Sequence, residues 1–229
     1  MAATKVEFGS GTLFKAAGIV HGIMVGDALL VLANALLVLT PVLVGIIGPL
    51  ALISLILAGP SFVAACYAFN RLYAHEDTGV FHDFMKSYRS NFGQALVVWL
   101  PYLVVLVVIA FNLSVLPGNL GPGTGTNPAQ VAARMGLLGV GVMVATAAVK
   151  AMLLLSRFSF RTSDIYRLSV YALGAQRRVS LGNAGILFVT AFVLMMTTAW
   201  LILFVSGLVV YLICLNSRPL LKFVEIRFT

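Results

Sequence analysis

Residues 94–116 read QALVVWLPYLVVLVVIAFNLSVL, 23 residues without an Asp, Glu, Lys or Arg. A helix of that length rises about 35 Å at about 1.5 Å per residue, enough to cross the roughly 30 Å hydrocarbon of a bilayer. Its circumference carries no continuous polar face, so water cannot be its solvent on any side. Working outward, five further apolar runs of the same kind lie at 17–40, 49–70, 131–156, 184–204 and 206–224. The predicted fold is all-α: a polytopic transmembrane bundle of about six spans, forming one integral membrane domain over residues 1–229.

The bulk composition agrees with that reading. Of 229 residues 61% are hydrophobic and 10% charged, and the mean hydropathy is +1.04. A soluble domain carries about 25% charged residues, so this chain cannot cover a water-facing surface. Disordered tails, disulfide scaffolds and coiled coils are excluded on the same ground. Cys66 and Cys214 lie far apart in apolar runs and read as core packing. The run from Ala16 to Phe69 exceeds a secretory signal's apolar core and reads as two retained spans, separated by a turn bracketed by Thr40-Pro41 and Gly48-Pro49.

The net charge of +8 would raise the question of nucleic acid in a soluble protein, but no stacking-aromatic motif accompanies it. In six spans, 13 of the 15 basic residues fall on one side, with Arg134 opposite and Lys150 inside a helix. That side is expected to be cytoplasmic, beside anionic lipid, and to hold both termini. The uncharged loop from Pro117 to Gln130 faces outward in this scheme. Asn183 to Asn216 offers 34 residues for two crossings, with a turn predicted at Ser206-Gly207. Five spans would place Arg218, Lys222 and Arg227 outside; six keep them inside, the last span running on into PLLKFVEIRFT.

Two amphipathic helices are predicted in the inner interface, at 79–92 and 163–178. In the first, Phe81, Phe84, Met85, Tyr88 and Phe92 share one face, and Asp83, Lys86, Arg89 and Ser90 the other. In the second, Ile165, Leu168, Tyr171, Ala172 and Ala175 form the apolar face. Asn91-Phe92-Gly93-Gln94-Ala95 and Ser180-Leu181-Gly182-Asn183-Ala184 follow them as similar strings, a faint sign of duplication.

Ionisable groups in hydrocarbon are expensive, about 2.5–3.5 kcal/mol on insertion scales. Asp27 and Lys150 fall within about 5 Å in predicted depth, and Asn34 follows Asp27 on the same helix face. The three are candidates for an intramembrane polar binding site; a structural ion pair, or separate bonds to neighbouring helices, is the plainer alternative. Gly18, Gly22 and Gly26 form a ladder for close helix packing, and Gly141, Ala145 and Ala148 a looser one. His75, Glu76, Asp77, His82 and Asp83 match no metal-site spacing and read as a solvated charged loop. His21 reads as an interfacial residue. The Gly118 to Gly125 run lacks the strand and helix of a phosphate loop, and no H-E-x-x-H, G-x-S-x-G or Walker lysine occurs. No catalytic residue, metal or cofactor is therefore expected, and the protein is read as non-enzymatic.

The stretch GPSFVAACYAFNRLYAHEDTGVFHDFMKSYRSNFGQALVVWLP, from Gly59 to Pro101, resembles the signature of the YesL-like family of bacterial membrane proteins. The positions that carry the likeness are Gly59, Pro60, Ala64, Ala65, Asp83, Phe84, Tyr88, Arg89, Asn91 and Phe92, and RFSFRTSDIYRLSVYALG and SRPLLKFVEIRFT look like later parts of family members. The first hairpin departs from the family in its longer apolar stretch, LTPVLVGIIGPLALISLILAGP. Members tend to be encoded near carbohydrate-uptake ABC transporters. The resemblance therefore implies the plasma membrane of a bacterium and an accessory role beside sugar permease subunits. Phe81, Phe84, Tyr88, Arg89, Phe92 and Tyr171 are the candidate partner contacts. The alternative expectation is a small transporter, or a lipid- or small-molecule-binding protein, using Asp27, Asn34 and Lys150.

Overall fold

The computed structural model describes residues 12–35, 49–74, 79–115, 128–158, 160–197 and 201–228. The predicted turn at 40–48, residues His75 to Asp77 and the Gly118 to Gly125 run lie outside them. Among the described residues the helices are α1 (Thr12–Ala33), α2 (Pro49–Tyr73), α3 (Val80–Val115), α4 (Pro128–Arg157), α5 (Thr162–Ala175), α6 (Arg177–Met196), α7 (Ile202–Asn216) and α8 (Arg218–Phe228). Five stretches are long and apolar enough to cross a bilayer: Ala16–Ala33, Leu55–Tyr73, Val80–Val115, Pro128–Arg157 and Arg177–Leu194. A sixth crossing is available if α7 and α8, which meet at a 44° bend, act as one broken span.

Side-chain neighbours fix how the helices run. Gly22 faces Leu72 and Gly26 faces Phe69, so α1 and α2 are antiparallel. Arg71 pairs with Asp83 while Gly59 faces Trp99, which makes α2 and α3 antiparallel as well. Val179 O accepts from Asn216 Nδ2, so α7 returns to the end at which α6 began. Arg218 then lies over the Tyr73 ring at the end of α2. The start of α1 and the start of α8 thus share one end of the bundle with Arg71 and Arg157, here called the basic end.

Burial is concentrated toward that end, and α4 is its central post. Thr146, Ala147 and Ala148 and then every residue from Lys150 to Ser156 are buried. Leu153 joins a core with Leu30, Cys66, Phe69, Phe84 and Ile213; Met152 packs with Val63, Val98 and Ile165; Leu154 packs with Ala172, Leu220 and Val224. Both cysteines are buried free thiols, in keeping with a packing role. The far halves of α3 and α4 expose Val104, Val108, Phe111, Met135, Leu138 and Met143, an apolar surface suited to lipid.

Three expectations are corrected in detail. The 79–92 segment is no separate interfacial helix, because α3 continues unbroken for 36 residues. Gly93 meets nothing within 4 Å of an added Cβ, so neither a tight turn nor a close contact calls for it there. Ser206-Gly207 is not the last turn: it lies inside α7, which runs antiparallel to α6. The ridge of α5 is Ile165, Ser169 and Ala172, with Tyr171 turned outward, and it rests on protein. Tyr102 and Ser169 share a hydrogen bond of 2.8 Å, and Tyr166 donates to Val97 O at 2.8 Å. Burial, then the neighbouring Tyr102 phenol, raises the Tyr166 pKa, which keeps that donor protonated.

Candidate functional site

The three polar residues predicted to converge are placed in three separate arrangements. Asp27, half-buried on α1, accepts two hydrogen bonds at Oδ1: from Ser206 Oγ at 2.6 Å and from Gly207 N–H at 2.6 Å. The helices cross closely here because Gly207 has no side chain; an added Cβ would stand 2.9 Å from the Asp27 backbone. Asn34 Nδ2 donates to Ser61 Oγ at 2.8 Å and to Leu30 O at 2.8 Å, tying the end of α1 to α2.

Lys150 is fully buried, and its ammonium donates to Ala172 O at 2.7 Å and to Ser180 Oγ at 2.6 Å. Ala172 belongs to the last turn of α5, where the helix dipole favours a cation, and its carbonyl also accepts the Gln176 N–H at 3.0 Å. Ser180 Oγ lies 2.9 Å from both Leu173 O and Gln176 O, so the lysine and serine together hold the break between α5 and α6. Neither Asp27 nor Asn34 is among its partners. Closeness in predicted depth did not bring the three together, because each helix turns its polar group toward a different neighbour.

A second buried polar set escaped the sequence reading. Asn183 Nδ2 donates to Ser217 Oγ at 2.9 Å, and Asn216 Nδ2 donates to Asn183 Oδ1 at 2.8 Å. These bonds clamp the bend between α7 and α8 onto α6, and Gly182 makes room, since its Cβ would meet the Asn216 amide at 2.5 Å. The available signal was a pair of asparagines at the ends of apolar runs. In the supposed repeat, Gln94 instead donates to Phe160 O at 2.7 Å and Gly93 meets nothing, so the two strings serve different contacts.

The candidate partner face is divided. Phe84 is 2% exposed, packed among Phe69 and Leu153, and presents nothing to a partner. Tyr88 stacks on it at 5.9 Å, and Phe92 meets Tyr88 edge-on at 5.4 Å; both are half-buried. Phe81, Arg89 and Tyr171 remain exposed. Asp83, expected on the solvated side, is buried and paired with Arg71 at 3.2 Å, with His82 Nδ1 4.0 Å away. His21 is exposed. Among the described residues no three of His, Cys, Asp and Glu converge as a metal set.

The glycine ladder is partly used. Gly22 and Gly26 are buried against Leu72 and Phe69, whereas Gly18 meets nothing within 4 Å. Gly141 makes ordinary contact with Ile109, and Ala145 is half-buried. Gly59, packed on Trp99, and Gly207 are close contacts outside the predicted ladders.

No curated protein and no solved structure matches this chain. Residues 29–113, which run from the end of α1 through α2 and most of α3 and contain the whole Gly59 to Pro101 stretch, match the model of a family described as protein of unknown function, DUF624.

Proposed function

We propose that the chain is a non-enzymatic accessory protein of a bacterial plasma membrane, with the basic end and both termini in the cytoplasm. Its work is done by contact with a partner. The observation that carries this reading is the use made of the costly membrane-depth groups: Asp27, Asn34 and Lys150 each hold one helix to another. Polar groups spent on internal ties stabilise a scaffold and line no common path. The gathering of basic residues at one end supports the orientation.

The resemblance to the YesL-like family supplies the partner class, permease subunits of a carbohydrate ABC importer. Phe81, Arg89 and Tyr171, exposed among the aromatic and basic residues first singled out, are the contacts of choice. The alternative of a small transporter or ligand-binding protein built on Asp27, Asn34 and Lys150 has less support, because those side chains do not meet. Affinity purification of the full chain from native membranes tests the proposal. Co-recovery of permease subunits, reduced by Phe81→Ser with Tyr171→Ser, is expected. Repeated recovery without any transporter subunit overturns it.

A further inference from the structure

A cleft of about 320 Å³ opens at the basic end, lined by Tyr67, Asn70 and Arg71 of α2 and Ser156 and Arg157 of α4. Its walls are rich in donors. Both guanidiniums carry only N–H groups. Asn70 Nδ2 is buried and has no acceptor among the described residues. The Tyr67 hydroxyl accepts from Arg71 Nη1 at 3.2 Å, which leaves its own proton to donate. Ser156 Oγ donates to Leu153 O at 2.8 Å and adds only lone pairs.

The charge balance favours an anion. Among the described residues Asp83, 3.2 Å from Arg71, offsets one of the two arginines that line the cleft, leaving one positive charge in excess. Last-turn arginines also answer the bare carbonyls of helix C-termini. That role accounts for Arg71 and Arg157 but not for the buried amide of Asn70, which needs an acceptor. Planar guanidiniums flanking an amide donor form the usual recognition set for phosphate oxygens.

We propose that this cleft binds a phosphate group, with Arg71 and Arg157 supplying charge-assisted donors and the Asn70 amide a third on turning its Nδ2 into the cleft. Its place at the basic end of a membrane bundle suits the headgroup of an anionic phospholipid, and basic pockets between spans bind such headgroups elsewhere. A free phosphate presents the same oxygens. The inference does not depend on the identity of any protein partner.

The test is native mass spectrometry of the full chain in detergent, supplied with phosphatidylglycerol or phosphatidylcholine, alongside thermal unfolding with inorganic phosphate. Arg157→Ala, at an exposed position, is compared with wild type; Arg157→Gln serves if the alanine variant does not hold its fold. Loss of one charge-assisted hydrogen bond predicts about tenfold weaker binding of phosphatidylglycerol by the variant, with phosphatidylcholine unaffected. That result assigns a lipid headgroup. Stabilisation of wild type but not variant by inorganic phosphate, with no lipid preference, assigns a free phosphate. Equal phosphatidylglycerol retention by wild type, Arg157→Ala and Asn70→Ala, with no phosphate effect on any of them, overturns the proposal.

Discussion

The carboxylate of Asp27 accepts the backbone N–H of Gly207 at 2.6 Å, across 180 positions of sequence. A bond between a side chain and a main-chain donor of another helix requires the two backbones to lie almost in contact. Adding a methyl group at Gly207 should therefore separate α1 from α7. Overpacking of this kind costs about 1–3 kcal/mol. Gly207→Ala is expected to lower the unfolding temperature in detergent, whereas Gly18→Ala, at a position with open space around it, should leave it unchanged.

Asp27 itself should tolerate loss of charge better than loss of shape. Asp27→Asn keeps an oxygen for Ser206 and Gly207. Asp27→Leu strands both donors, at about 1–3 kcal/mol. The larger drop in thermal stability is expected for leucine; equal drops for both variants would show that the charge, and not the acceptor, matters.

Ser180→Ala removes a bond to a buried ammonium, an interaction worth about 1.5–3 kcal/mol. The loss should be local as well as global. Hydrogen exchange is expected to accelerate at residues 172–180, where Lys150 and Ser180 hold the junction of α5 and α6.

Arg71→Ala takes the guanidinium from an aspartate that is 2% exposed. Removing one partner of a buried pair costs about 3–5 kcal/mol. Arg71→Ala with Asp83→Asn should cost less than the two single changes together, as a double-mutant cycle of unfolding free energies would show.

Sidedness can be read by thiol labelling in intact cells and inverted vesicles, since the native cysteines are buried. Cysteines replacing Arg89 and Lys222 should react from the same face, and a cysteine replacing Ser114 from the other. Labelling of the Lys222 position from outside intact cells would reverse the proposed orientation.

The spans were legible because hydrocarbon leaves little choice: some 20 apolar residues in a row must be helical and must cross. What the sequence withheld was rotation about each axis. The predicted depths of Asp27 and Lys150 are close, yet one faces α7 and the other the α5–α6 junction, and nothing local to either residue reveals that. Dipeptide signals misled for a related reason. Ser206-Gly207 marks a turn in water, but in an apolar helix small residues mark a close crossing, as the contact with Asp27 demonstrates. Asp83 looked solvated because its partner Arg71 lies on another helix, and a charge that is paired across helices can be buried.

An unbroken α3 has a mechanical corollary. Its 36 residues make a helix about 54 Å long, and the first 14 extend about 21 Å beyond the uncharged stretch that begins at Gln94. A helix cannot shorten, so a thinner bilayer has to be met by leaning or by bending at Pro101. Each 10° of lean sweeps the overhanging tip sideways by about 4 Å on that lever arm. Because Asp83 sits near the tip and pairs with Arg71, and Val80, Phe84 and Ser87 are buried beside it, the overhang can lean only together with the foot of α2.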